Sequence, residues 1–419
     1  LRQVLLSATS IDTFIHNGRG VFGSDFGSCS FVLWNTSHLD YTGRYYRLFD
    51  RHGDVSTVSA LEARLSTESS FHVSARKLQT IPGCPIAYAL SDQHFAAFES
   101  QSPLGDWVPV KEGLNTGNNE LFMRLWFEVP YSEILFDCES AVQSRRSSQR
   151  WYPCNKGGER RRWYGNNLYV LDWHNDGHAV RNYRGADGAI ASAVRNADFY
   201  FQAGITWSGF GNADLSARSF GKGFVFNSVG RCLFPNHYRD SLLGFLNSKV
   251  ANTFLRLIAP TVHYSVGDIS RLPLGKPLAE AMPRMSTAIV TTAVELSRED
   301  WDSSEISWDF QALPVVRHQS TTLQRSQEAA DADCINRFRR MTALEEDNNS
   351  IIIESYGLQK ELSAEASDDQ ITVYRPNREE DIKRLVSYTV GCMMGRYSLD
   401  EPGLMYAQGG NVGFDKIRR

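Results

Sequence analysis

The feature that most constrains the fold is a change of sequence pattern near Pro277. Residues 104–274 are dense in Gly, Asn, Trp and Tyr and in short β-forming runs, whereas helical spacing dominates after Pro277. Only one helix is predicted inside the first stretch, over residues 241–257, where apolar residues recur at helical spacing. Later helices are predicted over residues 279–298, 320–348 and 381–394. The sequence therefore predicts a mixed α/β fold, in which a mixed α/β module precedes a mainly helical region.

The first hundred residues predict a sheet edge and one short helix. Residues 11–15 and 30–34 are apolar and β-rich and flank a turn-rich stretch, which is typical of a hairpin. A helix is predicted over residues 92–100. Because single cores stop growing near roughly 250–300 residues, a chain of 419 residues is expected to form two or three domains.

Two motifs that could suggest a ligand favour plain turns instead. Residues 18–23 match the phosphate-binding pattern G-x-G-x-x-G, but that pattern must open a helix, and residues 26–34 favour a strand. Residues 172–178 hold two histidines and two aspartates, but Asn175 and Gly177 favour a turn rather than the helix that would bring the histidines together. We therefore expect a tight turn at the first motif, no metal site at the second, and no catalytic residue in the chain.

Charge is strongly segregated along the chain. Seven basic residues and one acid lie between Ala141 and Gly165, whereas acids crowd residues 295–309 and 345–354. The net charge of -4 argues against a protein that coats nucleic acid everywhere, but it allows a local basic face. Seven scattered cysteines without a C-x-x-C pair predict a reducing cytoplasm. No apolar run approaches the roughly 20 residues of a membrane helix.

The basic and aromatic residues alternate on a Gly/Asn-rich loop, residues 155–167 (NKGGERRRWYGNN). Such a loop offers charge for phosphates, planar donors for base edges and flat faces for stacking, which points to nucleic acid. Small polar loops at residues 113–119, 207–208 and 218–223 add donors. A solvated arginine-rich turn, and core positions for the tryptophans, are the alternatives. The predicted DNA-binding residues are Asn115, Thr116, Asn118, Asn119, Lys156, Arg160, Arg161, Arg162, Trp163, Trp207, Ser208, Arg218 and Lys222.

The same stretches, with several others, carry a resemblance to a known family. The matching segments are residues 16–27 (HNGRGVFGSDFG), 113–119 (GLNTGNN), 156–163 (KGGERRRW), 204–208 (GITWS), 301–302 (WD), 307–310 (SWDF) and 378–385 (REEDIKRL). The chain resembles the PglX family of large adenine-specific DNA methyltransferases from bacterial BREX phage-defence systems. The resemblance implies that residues 1–35 are the last strands of a methyltransferase sheet and residues 36–103 a connecting region. Residues 104–275 would be the DNA target recognition domain and residues 276–419 a helical C-terminal region, in a chain that continues beyond both ends.

The resemblance also implies the activity of a parent enzyme. That enzyme would use S-adenosylmethionine to methylate adenine in double-stranded DNA in the bacterial cytoplasm. This segment lacks the Pro-Pro dipeptide of the family's target-base loop, so the cofactor and the catalytic motifs are expected upstream and none within the segment. Other BREX proteins and phage-encoded inhibitors are further expected partners, and a membrane is not.

Two other functions remain open from the sequence. The chain could be a non-catalytic DNA-binding specificity module, like the specificity subunit of a restriction system, whose partners supply the chemistry. It could also be a protein-interaction scaffold whose acidic helices beyond Pro277 bind other defence proteins. Methyltransferase motifs upstream of Leu1 would argue against the first, and salt-sensitive duplex binding would argue against the second.

Overall fold

The computed structural model describes residues 2–21, 26–50, 55, 57–67, 69–208, 214–259, 264–274 and 287–405. The chain divides into two compact units. Unit 1 contains Leu1–Ser102 and Phe254–Pro260, and unit 2 contains Pro103–Thr253 and Thr261–Arg419. Helices and strands occur in both units, so the predicted mixed α/β class is confirmed.

Unit 1 is built on a four-stranded sheet with the order β2-β1-β3-β4. Its elements are α1 (Arg2–Ala8), β1 (Ser10–Arg19), β2 (Gly27–Trp34), β3 (Thr42–Arg47), α2 (Val58–Thr67), β4 (Phe71–Ser74), α3 (Ala75–Thr80) and α4 (Asp92–Ser100). Strands β1 and β2 pair antiparallel, which confirms the predicted hairpin. Gly18 still belongs to β1 and pairs with Ser28, and Gly20 follows the strand. Residues 22–23 of that glycine motif lie outside the described residues. Strand β1 also pairs in parallel with β3, and the predicted helix over residues 92–100 is confirmed.

The described part of unit 2 contains two four-stranded sheets, β11-β10-β13-β6 and β12-β8-β9-β7. The strands are β6 (Val110–Lys111), β7 (Met123–Leu125), β8 (Trp151–Asn155), β9 (Tyr169–Asp172), β10 (Gly204–Trp207), β11 (Ala217–Phe220), β12 (Val225–Phe226) and β13 (Cys232–Leu233). Short strands at Ser102–Pro103 (β5) and Pro273–Leu274 (β14) flank this stretch. Every residue of β8 is buried, and aromatic side chains from both sheets share one core.

Helices make up most of the later part of the chain. The later helices are α8 (Arg239–Asn247), α9 (Lys249–Ile258), α10 (Val266–Ser270), α11 (Thr287–Trp301), α12 (Pro314–Arg317), α13 (Leu323–Ser355) and α14 (Arg378–Met393). Three short helices lie earlier in the chain: α5 (Asn119–Phe122), α6 (Ala141–Arg146) and α7 (His174–Arg181). The three helices predicted after Pro277 correspond to α11, α13 and α14, although residues 279–286 lie outside the described residues. None of the helices in the described ranges is long and apolar enough to cross a membrane.

The single helix predicted over residues 241–257 is two helices, α8 and α9. The break falls at Ser248, whose backbone is extended (ψ 159). Its hydroxyl oxygen accepts a hydrogen bond from the Ala251 amide at 3.2 Å, as the N-cap of a new helix does. The spacing of apolar residues continues across the break, so the pattern did not reveal it.

Candidate nucleic-acid interface

The basic-aromatic loop of residues 155–167 faces inward in the structure. The side chain of Arg162 is 3% exposed and forms an ion pair with Glu345, which is 2% exposed. The indole nitrogen of Trp163 donates to the same carboxylate at 2.9 Å. The partner of both side chains, Glu345, therefore lies about 180 residues away in sequence, on helix α13. An acidic residue of the later helices thus pairs with a basic residue of the loop.

Arg161 is held in the same way by helix α11. Its guanidinium donates to Asp300 at 2.8 Å and to the Ser297 carbonyl at 2.9 Å. The guanidinium carbon lies 5.1 Å from the centre of the Trp301 ring. The Ser297 hydroxyl, in turn, donates to the backbone oxygen of Arg162 at 3.0 Å. Side chains and backbone of the loop are thus both bonded to the helix.

Two further basic residues of the predicted site have internal bonds. Arg160 donates to the carbonyl oxygen of Asp369 at 2.6 Å, and burial lowers the pKa of its guanidinium. Arg218 is 1% exposed and donates to the Arg161 carbonyl and the Ser208 hydroxyl. Burial, with the like charge of Arg161, lowers the pKa of Arg218 to about 10. Because no carboxylate bonds to Arg218 among the described residues, its charge is poorly compensated.

Both predicted tryptophans are core residues, as the alternative interpretation had it. Trp163 is 1% exposed and Trp207 is fully buried. Trp207 donates through its indole nitrogen to the Tyr264 carbonyl at 3.2 Å. A fully buried ring offers no face to a base, so stacking by these two side chains is not available in this arrangement.

The Asn-rich loop of residues 113–119, by contrast, is fixed by its backbone and open at its tip. Asn115 and Ala193 exchange two backbone hydrogen bonds of 2.8 Å. The exposed side chain of Asn115 accepts from the Gly117 amide at 3.0 Å. That bond leaves one lone pair of the oxygen and the whole amide nitrogen for a ligand.

Among the other polar residues of this loop, Asn119 has an exposed amide, and Thr116 and Asn118 hold the loop in place. Asn119 is exposed and accepts from the buried Thr116 hydroxyl at 2.7 Å. Asn118 caps helix α5, because its side chain accepts from the Leu121 amide, and it donates to the Tyr183 hydroxyl at 3.1 Å. Asn115 and Asn119 are therefore the presented groups, and Thr116 and Asn118 position them.

A second loop, residues 183–196, joins the Asn-rich loop through Ala193 and was missed from the sequence. Its tip is a hairpin in which Arg184 pairs with Ile190, and both side chains are exposed. Arg195 is also exposed and forms an ion pair with Glu112 at 2.8 Å. The residues 185–188 (GADG) mark a turn, which was the available signal. The two loops together present amides and guanidinium groups to solvent.

Lys156 and Lys222 complete the predicted set. Lys156 lies 4.0 Å from the centre of the Tyr169 ring and forms no ion pair among the described residues. Lys222 is exposed and forms an ion pair with Glu139 at 3.1 Å. Both lysines keep charge near the surface, but neither adjoins the Asn-rich loop by any described bond. In the described parts of the chain, no cluster of His, Cys, Asp and Glu could hold a metal ion.

Comparison with known proteins gives sequence relatives and weak structural likenesses. No protein-family model matches the chain. Adenine-specific methyltransferase PglX from Lacticaseibacillus casei (strain Zhang) is 35% identical over 420 residues, which cover 96% of this chain and 34% of that protein. Adenine-specific methyltransferase BrxX from Escherichia coli O9:H4 (strain HS) is 29% identical over 441 residues, which cover 100% of this chain and 34% of that protein. The resemblance predicted from the sequence is confirmed, and the chain spans about a third of the length of these relatives, in their C-terminal part.

Two solved structures align with the chain at low scores. The type IIL restriction-modification enzyme MmeI in complex with DNA has a TM-score of 0.37 and 9% identity, with 93% of this chain and 46% of that chain covered. The type IIG restriction endonuclease BpuSI has a TM-score of 0.26 and 10% identity, with 85% and 45% covered. Likenesses at these scores carry no argument about function.

Proposed function

We infer that this chain, similar along almost its whole length to PglX and BrxX, is the DNA target recognition part of an adenine-specific DNA methyltransferase. The observation that carries this inference is the 35% identity to PglX over 96% of the chain. The chain spans 34% of that relative, so methyl transfer itself is proposed for the whole protein rather than for this part.

The exposed loops support recognition of adenine. An asparagine amide can accept from the exocyclic amine of adenine and donate to its ring nitrogen in the major groove. Asn115 and Asn119 are exposed and carry free amide nitrogens, on a loop whose backbone is bonded to Ala193. We propose these two residues, with Arg184 at the tip of the second loop, as base-reading groups. Lys156 and Lys222 are proposed as phosphate contacts.

Methylation would require S-adenosylmethionine, and the one glycine-rich motif of this chain lies between two strands. Gly18 belongs to β1, and the next described strand, β2, pairs antiparallel with β1, whereas a phosphate-binding motif of this kind precedes a helix whose amides face the ligand. We propose that the cofactor is bound by residues upstream of this segment. S-adenosylmethionine supplies the methyl group, and no step is assigned to residues of this chain.

We further propose that residues 1–35 are the last strands of the methyltransferase sheet. Strand β2 is at the edge of its sheet, and Phe31 and Val32, which point to opposite faces, are 52% and 58% exposed. An edge strand that exposes apolar side chains on both faces is suited to being covered by further protein. By the resemblance, the whole protein would act in BREX phage defence in the bacterial cytoplasm.

The test combines adenine methylation with variants of the exposed amides. Modified adenines are sequenced in DNA from cells with the intact gene, without it, and with Asn115→Ala or Asn119→Ala. We expect one methylated motif that depends on the gene and that relaxes at a single base position in each variant, since a bidentate contact is worth about 1–3 kcal/mol of discrimination. Gln324→Ala, which removes an exposed amide from helix α13, is the matched control and should leave the motif unchanged.

The outcomes separate the proposed function from its alternatives. No gene-dependent methylation together with salt-sensitive duplex binding would leave a non-catalytic specificity module. Neither methylation nor duplex binding would leave a scaffold. A motif that is unchanged in both asparagine variants would remove the base-reading role of these residues while keeping the methyltransferase.

A further inference from the structure

Three exposed arginines and one half-buried arginine lie together on a part of unit 2 outside the predicted site. Helix α6 ends with two of them, the segment of residues 147–150 carries the third, and helix α7 ends with the fourth. We call this surface the arginine face, and its residues are Arg145, Arg146, Arg150 and Arg181. Hydrogen bonds join its parts, since the Trp173 amide, just before α7, donates to the Arg150 carbonyl at 3.0 Å. The face is therefore one contiguous surface.

The carboxylates of this face lie beneath the arginines. Arg145 forms an ion pair with Asp176 at 3.2 Å, and their side chains are 62% and 16% exposed. Arg150 forms an ion pair with Asp172 at 2.8 Å, and their side chains are 55% and 9% exposed. Each aspartate holds a guanidinium from below. Two exposed acids border the face, since the Glu133 carbonyl accepts from the Arg150 amide and the Glu139 amide donates to Gln143.

The other two arginines add charge with little compensation. Arg181 donates to the backbone oxygen of Asp176 at 2.9 Å and lies 3.7 Å from its carboxylate, which Arg145 already uses. Arg146 is exposed and forms no ion pair with any described residue. Four guanidinium groups thus share two largely covered carboxylates.

An unusual backbone turn places Asp176 under the arginines. Asn175, Asp176 and Gly177 all have left-handed backbones, with φ of 50, 54 and 71. A Cβ at Gly177 would lie 2.4 Å from the buried Trp173 ring, so only glycine fits there. Left-handed residues other than glycine cost about 1–3 kcal/mol each and cluster at functional sites. The turn also leaves His174 and His178 exposed beside the arginines.

We propose that the arginine face binds the phosphate backbone of duplex DNA. This inference rests on the proposed function and names a surface for it. Held guanidinium groups present planar donors that match phosphate oxygens, and exposed Gln143, Ser148 and Asn175 add the neutral donors common at such contacts. A protein partner would call for an apolar centre, and Val142 is the one large apolar side chain exposed on helix α6.

The test measures duplex affinity of the whole chain against salt concentration. Each lost phosphate contact should flatten the slope of log affinity against log salt by about 0.9. If variant and wild type bind equally at about 1 M salt, that change makes the variant about fivefold weaker at about 0.15 M salt. The double variant Arg146→Ala with Arg150→Ala should therefore bind about 30-fold more weakly, equally on every sequence. Arg340→Ala removes an exposed arginine from helix α13 and is the matched control.

Lysine variants separate charge from folding. Arg146→Lys with Arg150→Lys keeps both charges and should restore most of the affinity and the slope. Equal affinity and slope in the wild type and the alanine double variant would overturn the arginine face as a phosphate contact while leaving the proposed function intact. The proposal would also be overturned, in favour of an acidic protein partner, by a different result. In that case the wild type would bind poly-glutamate but not duplex DNA, and the alanine double variant would no longer bind poly-glutamate.

Discussion

Replacing Glu345 by Ala removes one carboxylate and leaves two buried donors behind. Arg162 and Trp163 are 3% and 1% exposed, and both bond to Glu345. The next carboxylate near Arg162 is Asp214, at 3.9 Å, beyond a good hydrogen bond. Removing one partner of a buried ion pair costs about 3–5 kcal/mol because the other charge stays in the interior. We expect a loss of that size in the free energy of unfolding.

Hydrogen exchange of the helix α13 amides gives that free energy locally. The matched control is Asp347→Ala, which removes an exposed carboxylate from the same helix and should change the free energy by less than about 0.5 kcal/mol. If Glu345→Ala costs no more than this control, the buried pair does not hold the loop to the helix and the reasoning is refuted.

A second replacement isolates the stranded charge as the cause. In Glu345→Leu with Arg162→Met both charges are absent, so no buried charge is left unpaired and only the Trp163 indole nitrogen loses its acceptor. Exchange of a buried ion pair for apolar side chains is often neutral or stabilising. We expect the free energy of unfolding of this double variant to be higher than that of Glu345→Ala. An additive loss from the two replacements would point to packing instead.

Three further outcomes follow from buried groups. Iodoacetamide at about pH 8 should alkylate exposed Cys29 in the folded protein but reach buried Cys154 and Cys232 only in urea. Burial also raises the pKa of both buried thiols, that of Cys154 to about 12. Peptide mass spectrometry measures the alkylation rates, and equal rates at the three cysteines would contradict this. From pH 9.0 to about 12 the unfolded Cys154 thiol loses its proton while the folded one keeps it, so stability should fall as pH rises, and less steeply in Cys154→Ala; Tm measured at stepped pH tests the slope. Gly113→Ala places a Cβ 1.9 Å from the Phe226 carbonyl oxygen and should cost about 1–3 kcal/mol in urea unfolding, whereas Gly221→Ala meets nothing within 4 Å and should not.

Local pattern was enough where local chemistry decides the structure. The helix at Asp92–Ser100 and the hairpin of β1 and β2 were predictable because apolar spacing and turn residues act over a few positions. The break at Ser248 was not, because its hydroxyl caps a second helix while the apolar spacing continues on both sides.

Burial of the basic-aromatic loop was beyond local pattern. An arginine among aromatics has the same sequence signature whether it meets a phosphate or a carboxylate. Arg161 and Asp300 are 139 positions apart, and Arg162 and Glu345 are 183 apart. The one available signal was the segregation of charge, since a basic stretch and acidic helices in one chain are natural partners for each other. Exposed Asn115 and Asn119 come from the same prediction and keep their proposed role.

The buried bonds between the loop and the later helices also bear on how specificity could be exchanged between relatives. A chimera that swaps residues 104–275 alone would carry Arg161 and Arg162 into a chain whose residues 300 and 345 come from another parent. Wherever that parent has no acid at residue 300 or 345, the graft would leave a buried arginine without its carboxylate. The segment that must be exchanged as one piece is therefore longer than the two sheets. It extends through helix α13 to at least Tyr374, whose backbone amide also bonds to Asp300.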